Sequence, residues 1–173
     1  MMIEIRQASH DDCPRIAEIQ VAGWKAAYRG IPPDDFLNRL DRKSRVVTWE
    51  QFVRDRFGDL LVVQVDGALS GFCHLIPSRD CDGDRASEIA AIYIDPPVWR
   101  NGYGKTLIAE ACKRSKEQNR GELTLWVLEE NSVGRRFYEA MGFFPDGAMK
   151  TDQGPDCTLH EVRYRRNQHW TGS

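Results

Sequence analysis

No stretch of the 173-residue sequence holds the roughly 18 apolar residues that a bilayer-spanning helix needs, so a helical membrane protein is excluded. The opening Met1-Met2-Ile3-Glu4-Ile5-Arg6 lacks a basic-then-apolar leader pattern, and a cytoplasmic location is expected. Neither sign of charge is in excess: 24 Lys+Arg stand against 26 Asp+Glu, a formal net charge of −2. Such a chain sets up no global field for a phosphate backbone, which argues against nucleic acid as the main partner. Cysteine is sparse and scattered. Cys13, Cys73, Cys81, Cys112 and Cys157 form no Cys-x-x-Cys pair and have no histidines at zinc-finger spacing, so they read as reduced thiols without a structural metal. No repeat, linker or low-complexity tract divides the chain. The expectation is one domain over residues 1–173, long enough to bury roughly 70% of its unfolded surface, with a small-molecule partner.

What the sequence does contain is a hydrophobic period that changes along its length. Ile3 and Ile5 alternate like a short strand, and Ser9-His10-Asp11-Asp12 supplies a capping box for a helix carrying Cys13, Ile16, Ala17, Val21, Trp24 and Tyr28. That helix should stop near Arg29-Gly30, before Pro32-Pro33. A second helical region covers Asp34 to Phe57, its ragged apolar spacing compatible with two helices, and ends at Gly58. Leu60–Val65 and Leu69–Ile76 read as strands joined by the hairpin signal Asp66-Gly67. Ser78–Arg85 is a loop, and Ala86–Ile94 a third strand that completes an antiparallel meander.

From Gly102 to about Gln118, Leu107, Ile108, Ala111 and Cys112 form one helical stripe. Leu123–Leu128 then reads as a buried strand, so strand, helix and strand suggest a parallel crossover. Asn131 caps a further helix with a stripe of Val133, Phe137, Tyr138 and Met141, stopped by Gly142. Two last strands lie near Phe143–Lys150 and Cys157–Arg165. The class is therefore α/β or α+β: a mixed, mostly antiparallel sheet of six to seven strands with helices on both faces.

Ile92-Tyr93-Ile94-Asp95-Pro96-Pro97-Val98-Trp99-Arg100-Asn101-Gly102-Tyr103-Gly104-Lys105-Thr106-Leu107 runs a strand through a glycine turn into a helix. Backbone N–H groups and the positive helix end make this an anion site, most suited to phosphate, although the glycines equally suit a plain tight turn. Gly104-Lys105-Thr106 resembles the end of a Walker A loop, but Trp99 stands where that loop needs its first Gly. A dinucleotide fingerprint would need a small residue where Leu107 stands. Glu129 keeps that nucleotide reading open as a ribose-binding acid. A second segment, Leu125 to Phe143, sets Asn131 at a helix start and Tyr138 seven residues on. That is about 700° of turn, so the amide and the phenol face one side, roughly 10 Å apart.

Together the two segments resemble the GNAT N-acetyltransferase superfamily: strand, Asp-Pro, basic Gly-rich turn and helix in the first, Asn…Phe-Tyr…Gly-Phe in the second. The resemblance is specific from about Glu88 to Phe143 and departs at Trp99, where the superfamily usually has Arg or Gln. It implies an acetyl-CoA-dependent N-acetyltransferase acting on a small-molecule or peptide amine, and it allows a homodimer. Carried over by position, Ile92, Tyr93 and Ile94 would offer main-chain groups to the acetyl carbonyl and pantetheine arm. Arg100, Asn101, Gly102, Tyr103, Gly104 and Lys105 would surround the pyrophosphate, with Asn131 as helix cap, cofactor contact or both.

Tyr138 is the candidate general acid for the departing thiolate, since a phenol of reference pKa about 10 stays protonated at neutral pH. Glu88, on the strand that carries the cofactor contacts, is the candidate base acting through water, weighed against a solvated strand-edge Glu. Trp24 and Tyr28 could line the acceptor pocket, although aromatics on an apolar helix face more often belong to the core. Of the cysteines only Cys112 falls in the matched segments, on an apolar stripe, which favours direct transfer in a ternary complex over an acetyl-enzyme. Two other classes stay open: a CoA-binding regulatory module without turnover, and a Rossmann-like nucleotide enzyme.

Overall fold

The computed structural model describes residues 1–30, 40–81, 85–154 and 157–168. The capping box acts where the sequence places it. Asp12 Oδ2 accepts the Ser9 backbone N–H at 2.7 Å and the Arg6 guanidinium at 2.7 Å, fixing a short 3₁₀ turn between strand β1 (Ile3–Gln7) and helix α1 (Cys13–Ala27). The Arg6 hydrogen bonds outweigh burial and draw the Asp12 carboxyl down to about 2, from an ordinary 3.8. Its folded pKa lies below its unfolded one. The contribution to stability is therefore complete above about pH 4 and fades as pH falls toward 2. Asp12→Asn should cost about 1 kcal/mol at pH 7 and almost nothing at pH 2, checked by urea unfolding at both pH values.

Residues 34–39 of the second expected helical region lie outside the described residues. Helix α2 runs Arg42–Asp55 behind Asp41, whose side chain accepts the N–H groups of Lys43 and Ser44. The hairpin forms as expected: Asp66 (φ 50°) and Gly67 (φ 84°) both take the left-handed conformation of a tight primed turn between β2 (Asp59–Val65) and β3 (Ala68–Pro77). Next come β4 (Ala86–Ile94), α3 (Tyr103–Glu117), β5 (Glu122–Leu128), α4 (Ser132–Ala140), β6 (Phe144–Gln153) and β7 (Thr158–Asn167). In α4 the stripe is narrower than expected. Val133 is 69% exposed, while Phe137, Tyr138 and Met141 pack inward.

The seven strands lie in the order β1-β2-β3-β4-β5-β7-β6, and only the β4–β5 pair is parallel. This mostly antiparallel order overturns the Rossmann-like alternative, which needs a parallel doubly wound sheet. Helices α3 and α4 cover one face over Leu61, Cys73, Leu107 and Leu125. Helices α1 and α2 cover the other over Ile16, Trp49, Leu60 and Phe72.

Two irregularities shape the middle of the sheet. The pairs His74–Ala91 and Leu75–Ile89 skip Ala90, a bulge in β4. Pairing of β4 with β5 covers only Ala86–Ile89. From Ala90 onward β4 stays with β3 while β5 stays with β7, so the two parallel strands part and leave an opening between them.

Candidate active site

The backbone of β4 presents that opening with hydrogen-bonding groups. Asp95 N–H donates to the Ser70 carbonyl at 2.9 Å, so by antiparallel alternation Tyr93 and Ala91 also bond to β3. Ile92 and Ile94 then turn their N–H and C=O groups toward the opening. This corrects one expectation: the Tyr93 main chain is committed to β3, and of the three residues only Ile92 and Ile94 present main-chain groups there. The Trp99 indole N–H donates to the Ile94 carbonyl at 2.6 Å, which gives the unusual residue of the glycine turn a definite place beside β4.

At the end of the opening stands the N-terminus of α3. Its first intrahelical bond runs from Thr106 N–H to the Gly102 carbonyl, so the N–H groups of Tyr103, Gly104 and Lys105 have no partner in the helix. Gly102 (φ 83°) is open to solvent, and its left-handed backbone is what requires glycine there. At Gly104 a Cβ would sit 3.0 Å from Phe137 Cζ, so this glycine lets α3 approach α4. Arg100 and Lys105 are exposed beside these donors. Tyr103 contributes only its N–H, because its side chain is 6% exposed and belongs to the core. The Asn101 amide is turned back onto the carbonyls of Val98 and Trp99 at 3.0 and 3.3 Å. Unpaired donors, positive side chains and a positive helix end form a cradle that suits a phosphate group.

On the α1 side the opening is walled by aromatics. Trp24 and Tyr28 stack edge to face with centroids 4.6 Å apart. Gly23 lets the Tyr93 ring lie against α1, since a Cβ there would meet Tyr93 Cδ1 at 2.9 Å. The Tyr28 phenol lies close to the side chains of Tyr93 and Asn131. Asn131 itself caps α4, its Oδ1 accepting the Gly134 N–H at 3.0 Å. Tyr138 enters from the α4 side, its ring near Phe137, Phe143 and Tyr164 at centroid distances of 5.3, 6.1 and 6.5 Å. Burial first, then the neighbouring Tyr28 phenol, pushes the Tyr138 hydroxyl well above the ordinary tyrosine range. Thus Trp24, Tyr28, Tyr93, Asn131 and Tyr138 converge. Sequence spacing brought Asn131 and Tyr138 together but not the Tyr93 side chain, for which the lone glycine inside α1 was the available signal.

Glu88 is placed elsewhere. It lies five residues before Tyr93, roughly 15 Å at the usual strand rise, and its side chain is 2% exposed rather than solvated. Arg79 holds it through Nη2 at 2.6 Å, Nε at 3.2 Å and its backbone N–H at 3.1 Å. Burial alone would raise this carboxyl, but the Arg79 contacts outweigh it and hold the pKa below the ordinary range. Sequence reasoning missed Arg79, which sits on a loop with no pattern to mark it. Among the described residues no cluster of potential metal ligands occurs, and no helix is long and apolar enough to cross a membrane.

The profile of the Acetyltransferase (GNAT) family matches residues 15–143 of the sequence. A spermidine N(1)-acetyltransferase of Thermoplasma acidophilum is 31% identical over 150 residues, which span 83% of this chain and 89% of that protein. The uncharacterized N-acetyltransferase YuaI of Bacillus subtilis is 28% identical over 130 residues, 75% of this chain and 74% of its own length. Among solved structures, the PaiA N-acetyltransferase of Thermoplasma acidophilum in complex with coenzyme A superposes with a TM-score of 0.74 at 25% identity. The match covers 96% of this chain and 99% of that one.

Proposed function

This chain belongs to the GNAT family of acetyltransferases, and on that footing we propose that it moves an acetyl group from acetyl-CoA to a primary amine by direct transfer in a ternary complex. The observation that carries the reading is the parting of β4 from β5 beside a helix end with three unpaired N–H groups. Acetyl-CoA supplies an acyl group activated as a thioester. Ile92 and Ile94 bind its pantetheine arm along the strand, and the N–H groups of Tyr103, Gly104 and Lys105, with Arg100 and Lys105, hold its phosphates. Trp99 releases the Ile94 carbonyl as that arm pairs with the strand. Trp24, Tyr28 and Tyr93 wall the acceptor side, and the Tyr138 hydroxyl gives its proton to the departing sulfur.

The amine must arrive neutral, and its proton leaves through water. Glu88 is reassigned from base to partner of Arg79, because a carboxylate with a lowered pKa and three donors already bound is a weak proton acceptor. Accordingly Glu88→Gln should leave the pH profile of kcat/KM unshifted while lowering stability by about 1–2 kcal/mol, Arg79 being free to turn to solvent. A moved acidic limb in that profile would restore Glu88 as base.

The experiment for the whole reading is amine-dependent release of free thiol, run beside thermal shifts with acetyl-CoA. Ligand at about 100 times its Kd should add about 2.7 kcal/mol. Binding without turnover on any amine would turn the reading into a CoA-binding module, and no shift with any CoA ester would end it.

A further inference from the structure

On the α2 side of the sheet, next to the β4 bulge, lies a cavity of about 270 Å³ floored by His74, Ala90 and Ala91 and walled by Trp49, Arg45 and Arg79. Its size is at the low end for ligand cavities and fits one end of a small molecule. Ala91 lies two residues before Tyr93 on the same strand face, roughly 7 Å away, and Gln20 one helical turn before Trp24, so the cavity adjoins the residues that wall the acceptor side of the opening. The charged side chains of its lining, Arg45 and Arg79, have one sign, and the Glu161 carboxylate acts on Arg79 from outside the lining. Among the described residues no carboxylate lines it. Glu88 behind Arg79 is consumed by that guanidinium through Nε and Nη2, which leaves Nη1 without a partner among the described residues. Arg45 is half-buried, and its side chain has no hydrogen bond or ion pair to any described residue. His74 adds no charge: burial lowers its pKa, and its Nε2 is bonded to the Phe57 carbonyl at 2.7 Å.

We propose that the acceptor is a primary amine carrying a carboxylate several bonds from the nitrogen, with the carboxylate held in this cavity by Arg45 and the free edge of Arg79. The inference rests on the acetyl-transfer reading above. The half-buried Arg45 guanidinium gains a charge-assisted pair from a carboxylate and repels the second ammonium of a polyamine, with the more exposed Arg79 as its second arm. The acceptor class therefore differs from the spermidine in the name of the Thermoplasma acidophilum relative.

The test compares matched acceptors by thiol release with acetyl-CoA: 6-aminohexanoate against pentylamine, lysine against cadaverine, and spermidine. The carboxylate member of each pair should have at least a tenfold higher kcat/KM. Arg45→Gln should shrink that ratio several-fold through KM, and Arg45→Lys should restore part of it, a pattern that a loss of folding alone would not give. Spermidine or the plain amines performing as well, or a ratio unmoved by Arg45→Gln, would overturn the inference and leave acetyl transfer standing. No amine-dependent thiol release with any of these acceptors would overturn both.

Discussion

Replacing Tyr138 with Phe should lower kcat by about 100- to 1,000-fold and leave acetyl-CoA affinity within about twofold, the signature of a proton donor lost only in the reaction step. The ring would keep its packing against Phe137, Phe143 and Tyr164. The Tyr138 hydroxyl has no hydrogen-bond partner among the described residues, so its removal strands no buried group, and stability should change by less than about 0.5 kcal/mol. Because burial raises its pKa, Tyr138 stays protonated across the working range. An alkaline loss of activity in the wild type should therefore not belong to it. A high phenol pKa would hinder donation to a thiolate in water, but the same dry surroundings raise the proton affinity of the departing sulfur. Isothermal titration with acetyl-CoA and steady-state thiol release separate the two quantities. Unchanged turnover in Tyr138→Phe would move the role to Tyr28 or to water.

The features legible in the sequence are those that a residue type marks locally. Asp66-Gly67 specifies a turn because both residues must take a left-handed backbone, and the strand–helix–strand run from Ala86 to Leu128 gives a parallel crossover because no short turn can join parallel strands. Asn131 declares a helix start through its side-chain chemistry, which fixes the phase that brings Tyr138 to the opening. The bulge at Ala90 and the parting of β4 from β5 have no such mark. Alanine announces neither, and both follow from pairings between distant segments, β4 with β3 across the bulge and β5 with β7, more than thirty residues away, on its other edge. The burial of Glu88 against Arg79 has no mark in the sequence for the same reason. Whether a strand carboxylate is solvated, catalytic or paired depends on what neighbouring loops deliver, and here the preceding loop delivers Arg79. The Tyr93 ring is reachable only by pairing β4 with the one helix that offers it a glycine.

Shortening the donor should have an effect of similar size to the loss of the Tyr138 hydroxyl. S-Acetylpantetheine keeps the thioester and the amides that pair with Ile92 and Ile94 but lacks the phosphates that the α3 N-terminus would hold. Charge-assisted hydrogen bonds are worth about 1.5–3 kcal/mol each, so losing even two lowers kcat/KM by about 1,000-fold relative to acetyl-CoA. Most of this should appear in KM, since the lost contacts lie far from the reacting carbon. The side chains carry only part of it. Arg100 and Lys105 are exposed, so Arg100→Gln with Lys105→Gln should raise the acetyl-CoA KM about 10- to 30-fold and flatten its salt dependence. The backbone N–H groups of residues 103–105 carry the remainder, beyond the reach of side-chain substitution. With S-acetylpantetheine the double variant and the wild type should have the same kcat/KM, because neither side chain then has a phosphate to meet. An equal loss with both donors would show that the substitutions deform the turn itself, and an equal rate with both donors in the wild type would remove the phosphate cradle from the account.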